Sequence, residues 1–116
     1  MNIGLDFDQT ITDDPGFFRE FVRSMSKRHK IYIISSCSRR MERRYDNECR
    51  KKESLLKRYG ISHSGLFVVR EPIPKNKARL CARYKIDLMI DDKEQNLREI
   101  AKSCRGTVCL RLMQKR

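Results

Sequence analysis

The chain predicts an α/β fold, a parallel sheet with helices on both faces, and three observations carry that prediction. Short apolar runs alternate from end to end with segments whose apolar residues recur at helical spacing. The first run, Asn2–Phe7, is very apolar through Ile3-Gly4-Leu5, as expected of a strand buried on both faces. Carboxylates and hydroxyls gather where the apolar runs stop. In open α/β sheets that is the end where ligands bind.

The elements follow in order. After Asn2–Phe7, the stretch Asp13-Asp14-Pro15 offers N-cap carboxylates and a proline suited to a first helical turn. Phe17, Phe18, Phe21, Val22 and Met25 then mark an amphipathic helix to about Lys27. Ile31–Ser35 is the second strand. Arg39 to Tyr59 reads as one long charged helix with a thin apolar stripe of Met41, Tyr45, Cys49, Leu56 and Tyr59, stopped by Gly60. Leu66–Val69 is the third strand and ends in a turn at Pro72–Pro74. Lys77, Leu80, Cys81 and Tyr84 mark a short third helix, and Leu88–Ile90 a fourth strand. Leu97, Ile100, Ala101 and Cys104 line the fourth helix, and Thr107–Leu112 is the last strand, before a basic tail. Right-handed crossovers between five parallel strands give a three-layer sandwich of Rossmann type, with strand order 3-2-1-4-5.

Composition bounds the rest. A chain of 116 residues is expected to form one domain. No apolar run is long enough to span a bilayer, and the N-terminus lacks the layout of a signal peptide. The five cysteines form no C-x-x-C pair and read as reduced thiols, which points to the cytoplasm. Neither His29 nor His63 stands at zinc-ligand spacing from a cysteine. Net charge is +12, and fourteen basic against five acidic residues between Arg19 and Arg58 supply most of it. Such a field favours anionic partners, nucleic acid among them, although solvated helix faces are the commoner meaning of a charge run. No two glycines stand in G-x-G spacing, which removes dinucleotide binding of the usual kind.

The candidate site lies at the strand ends. Asp6 and Asp8 follow the first strand, Ser35 and Ser36 the second, and Asp91 and Asp92 the fourth. In the order 3-2-1-4-5 those three strands are neighbours, so the carboxylates and a hydroxyl converge on one crevice. Clustered carboxylates repel and call for a hard cation, and magnesium (Mg2+) suits a site that keeps several waters. Magnesium in turn draws phosphate oxygens. Asp6 could then attack phosphorus, Asp8 could serve as acid and base, and Ser35 with Lys77 could hold the transferring group. Thr10 has the plainer reading of a turn hydroxyl bonded to local backbone, and Asn96 reads either as a residue orienting the acidic pair or as simply exposed. Arg39, Arg40, Arg43 and Arg44 flank the second strand end, as phosphate contacts or as a solvated face.

These residues resemble the haloacid dehalogenase superfamily of phosphohydrolases. DFDQT (Asp6–Thr10) is similar to its first motif and IYIIS (Ile31–Ser35) to its second. Lys77 matches its third, and LMIDD (Leu88–Asp92) its fourth. The resemblance implies a magnesium-dependent phosphatase with Asp6 as nucleophile and metal ligand. It implies Asp8 as acid/base, ligating metal through its backbone carbonyl, and Asp91 or Asp92 completing the metal site, Asp92 being the first choice. It also implies Ser35 on phosphate, with Ser36 the alternative, and Lys77 steadying charge, with Lys75 the alternative. Thr10 enters as a substrate contact. Ile11–Gly16 is too short for a cap domain, so the chain resembles a cap-less member, with LCARYKIDLMIDD (Leu80–Asp92) similar to the nucleotidase-like branch. An open site would accept a phosphorylated small molecule or macromolecule, or would be closed by a second subunit. The rivals are a metal-dependent nuclease of the PIN type, which wants a helix-borne glutamate at the site, and a catalytically silent basic module that binds nucleic acid.

Overall fold

The computed structural model describes residues 1–37 and 43–113. It contains β1 (Asn2–Leu5), α1 (Pro15–Met25), β2 (Lys30–Ser36), α2 (Tyr45–Tyr59), β3 (Gly65–Val69), α3 (Ile73–Arg83), β4 (Leu88–Asp91), α4 (Glu94–Ser103) and β5 (Val108–Arg111). The five strands form one sheet in the order β3-β2-β1-β4-β5, and every pairing is parallel. The expected fold class and strand order are therefore those of the molecule.

Alternation along the strands sorts the core into two layers. Ile3 and Leu5 of β1, Ile31 and Ile33 of β2 and Ile90 of β4 face α1 and α2, where they meet Phe18, Val22 and Leu56. Ile34 and Met89 face the other way, toward Ala78 and Cys81 of α3 and Leu97 and Ile100 of α4. Tyr32, Phe67 and Tyr84 stack at the margin of this second layer, with ring centroids 4.5 to 6.2 Å apart. All five cysteines are free thiols, and burial pushes that of Cys81 up to about 12.

Helix ends follow the chemistry of their residues. Asp14 caps α1 by accepting from the Phe17 amide at 3.1 Å, and Pro15 stands in the first turn. Gly60 ends α2 with φ of 74°, a left-handed conformation that glycine adopts at little cost. The differences from expectation are at boundaries. Helix α2 begins at Tyr45, and Arg39, Arg40 and Met41 lie outside the described residues. Helix α3 starts earlier than its apolar spacing suggests, at Ile73, because Pro74 in the first turn costs no backbone hydrogen bond there. Strand β1 ends at Leu5, and Phe7–Ile11 forms an irregular wide turn broken by the extended Asp8 and by Gln9 at φ of 62°. Among the described residues, no helix is long and apolar enough to cross a membrane.

Gly4 shows how tightly β1 and β4 are packed. A Cβ added there would stand 2.7 Å from Met89 Sδ and 3.3 Å from both Ile34 and Ile86. Met89 is fully buried, so its sulfur yields only by disturbing the α3/α4 layer. We expect Gly4→Ala to destabilise the fold by about 1–3 kcal/mol through overpacking. Urea unfolding of the variant would show this as a lower midpoint, and an unchanged midpoint would contradict the packing argument.

Candidate functional site

The carboxyl ends of β1 and β4 meet where the winding of the sheet reverses, since β2 and β3 lie to one side of β1 and β4 and β5 to the other. Asp6 follows β1, and its amide still bonds to the Ile90 carbonyl at 2.9 Å. Asp91 ends β4, and Asp92 follows it. One carboxylate oxygen from each of Asp6, Asp91 and Asp92 lies within 4.8 Å of the others, and all three residues are buried.

Lys77 reaches this group from α3. Its Nζ donates to Asp6 Oδ1 and to Asp91 Oδ2, each at 2.8 Å, and the side chain is 1% exposed. Lys75 is exposed, and of the two lysines it is Lys77 that touches the carboxylates. Asp91 Oδ2 also accepts from Asn96 at 3.2 Å, and Asp91 Oδ1 from the Lys93 amide at 3.0 Å. Asn96 thus orients the acidic pair, as one of its two readings held. Thr10 donates to Asp6 Oδ2 at 3.1 Å, so its hydroxyl serves a carboxylate rather than local backbone.

The electrostatics follow from one ammonium set against three buried carboxylates. Burial, chiefly, pushes Asp6 up to about 7; Lys77 pulls it down and Asp91 pushes it further up. Asp92 is raised for the same first reason, with Asp91 adding to it. Burial by itself would lower the Lys77 ammonium, but Asp6 and Asp91 more than offset this and hold it above its ordinary value. The cluster is short of positive charge. All its donor atoms are carboxylate oxygens, which is the set a hard divalent cation takes.

The second strand contributes Ser35, fully buried, and Ser36, half-buried. Ser35 Oγ has no hydrogen-bond partner among the described residues. A buried hydroxyl in that state costs stability unless something else binds it. A cavity of about 580 Å3 opens beside the acids, lined by Gln9, Asp92, Lys93, Glu94 and Arg111 among others.

Asp8 stands apart from the acidic group. Its carboxylate is half exposed and accepts from Lys52 Nζ at 2.9 Å. Lys52, on α2, is itself 4% exposed and lies 5.2 Å from the centre of the Phe7 ring. The metal role expected of Asp8 runs through its backbone carbonyl, which this ion pair leaves untouched. Lys52 was not foreseen, because the charged composition of α2 reads as solvated. Its signal was nevertheless present: position 52 falls between Cys49 and Leu56 on the stripe that runs through Tyr45 and Tyr59.

No family model matches the chain, and no curated protein matches it. Among solved structures, it is similar to a universal stress protein crystallised in complex with cAMP. The likeness covers 99% of this chain and 98% of that one, with a TM-score of 0.62 and 11% identity. The identification as a haloacid dehalogenase, and the phosphatase activity that came with it, are corrected by this finding. Strand order 3-2-1-4-5 with polar strand ends belongs to more than one family of this architecture, so motifs placed on that frame did not single one out. The geometry gives a physical reason in the same direction. Both oxygens of Asp6 already accept hydrogen bonds, and the acid/base expected at Asp8 is tied to a buried lysine. The nuclease rival fits no better, since no glutamate joins the acidic group among the described residues. The silent nucleic-acid module gains no support from the comparison either.

Because Asp6 is raised from 3.8 to about 7, the folded protein holds this proton more tightly than the unfolded chain does. Its contribution to stability is therefore full below about pH 4 and is lost as pH rises toward 7. In divalent-free buffer, the stability difference between wild type and Asp6→Asn should move against wild type between pH 5 and pH 7, by on the order of 2 kcal/mol. Parallel pH profiles in chemical denaturation would refute the assignment.

Proposed function

We propose that the protein binds a small phosphorylated ligand of the nucleotide class at the carboxyl ends of β1, β2 and β4, and that it acts by binding rather than by hydrolysis. The observation that carries this reading is the charge imbalance at the switch point, where a single buried ammonium faces three buried carboxylates. Such a cluster is balanced by a divalent cation, and a cation there attracts phosphate. A protein of the same architecture holds cAMP, a cyclic nucleotide, which supports the class of ligand.

Asp6, Asp91 and Asp92 would hold magnesium, with the Asp8 carbonyl beside them, and the ion would supply the positive charge that draws a phosphate group. Asp92 is the better direct ligand of its pair, because the oxygens of Asp91 already take three donors. Lys77 fixes Asp6 and Asp91 in place and sets a positive charge beneath the phosphate. Thr10 holds the second oxygen of Asp6. Ser35 would donate its unpartnered hydroxyl to a phosphate oxygen, with Ser36 next to it at the strand end. Lys93 and Arg111 line the cavity in which the rest of the ligand would lie, and its volume is within the range of small-molecule sites.

Calorimetric titration with cAMP, AMP and ADP, with and without magnesium, tests the reading. We expect saturable, magnesium-strengthened binding of at least one of them and loss of the magnesium effect in Asp92→Asn. Ser35→Ala should weaken that binding by about five-fold, the worth of one hydrogen bond. The same variant should raise the stability of the unliganded protein by about 1 kcal/mol, since it removes an unsatisfied hydroxyl. Failure of all three nucleotides to bind in either buffer would end the proposal.

A further inference from the structure

A second concentration of charge lies at the same end of the sheet, two strands away from Asp6. It is a cavity of about 340 Å3 between the start of α2 and the end of β3, lined by Arg43, Arg44, Arg50 and Arg70 together with Tyr45 and Asp46. Four guanidiniums thus converge on a space that contains one carboxylate. Among the described residues, no ion pair joins any of the four to a carboxylate. Like charges gathered this closely repel, and an anion entering the space would offset that repulsion.

Two of the arginines are held in place. Arg70 lies over the Tyr45 ring, 4.2 Å from its centre, and the Tyr45 hydroxyl donates to the Val68 carbonyl at 2.6 Å, so the stack is anchored to β3. Arg50 donates to Asn47 Oδ1 at 3.2 Å across one turn of α2. A guanidinium stacked as Arg70 is loses little further freedom when it binds, and the planar forks of all four match phosphate oxygens. The first turn of α2 adds to the field, because Arg44 provides no side-chain cap for its amides.

We propose that this cavity is a second anion site, which takes a phosphoryl or diphosphoryl group of a small ligand. It stands on the arginines alone and not on the acidic cluster, so the two sites can fail separately. Parallel strands lie about 4.8 Å apart, which places the end of β3 roughly 10 Å from that of β1. One ligand with two separated phosphates is therefore long enough to reach both.

The probe is inorganic pyrophosphate, titrated at physiological salt and followed by amide NMR and calorimetry. We expect saturable binding, with shifts centred on Tyr45, Asn47 and Arg70, and a loss of about ten-fold or more in affinity in the double variant Arg43→Gln/Arg50→Gln. Both residues are exposed, so the variant should fold as wild type does. Asp6→Asn should leave the pyrophosphate response at α2 intact. Equal affinity in the double variant, or weak non-saturating shifts spread over the whole basic surface, would overturn the proposal. So would binding of a single-stranded oligonucleotide at these residues where pyrophosphate does not bind.

Discussion

The contact of Lys77 with Asp6 and Asp91 is the interaction on which the rest of the site depends. An ammonium at 1% exposure is tolerable only with anionic partners at hydrogen-bond distance, and two carboxylates meet it at 2.8 Å. The dependence is mutual, since the ammonium offsets the cost of burying the two carboxylates it meets. The triad also ties α3 to the ends of both central strands. Asn96 adds α4 through Asp91, and Thr10 adds the turn after β1 through Asp6.

A second lysine makes a comparable link on the opposite face. Lys52 leaves α2 within the apolar layer and reaches Asp8 beside the Phe7 ring. The turn carrying Asp6, Asp8 and Thr10 is thereby held from both helical layers, by α3 through Lys77 and by α2 through Lys52. Gln9, in a left-handed conformation between them, marks how sharply the backbone bends to present its carboxylates in two directions. One direction leads to the cation-poor cluster and the other to a closed ion pair. The two aspartates of one short motif therefore sit in different electrostatic surroundings.

The architecture was legible in the sequence because its causes are local. Apolar runs buried on both faces, helical stripes and the glycine after Tyr59 each act within a few residues, and the parallel order follows from general rules of winding. The convergence of Asp6, Asp91 and Lys77 was legible too, since strand ends in a known order must meet. What could not be read was the pairing of each charge. Lys52 has the same composition around it as its solvated neighbours, and only its place on the stripe sets it apart. The family was misread for a related reason. Polar residues gather at the carboxyl strand ends of sheets wound in this order because ligands bind there, so short motifs of that kind report the architecture before they report descent.

The position of β1 has a consequence for how the protein comes together. It is the middle strand, and it is bonded on one side to β2 and on the other to β4, next to which Asn2 and Asp87 meet across 85 residues of chain. Lys77 and Asp6 are separated by 71 residues. Closing loops of that length costs entropy that local contacts do not return, so the central pairing belongs to the late, cooperative part of folding. The acidic cluster forms in that same event. A chain that has built only its first helices and strands carries Asp6, Thr10 and Ser35 but lacks Lys77, Asp91 and Asp92, so the cluster is complete only when the later half of the chain has joined the sheet.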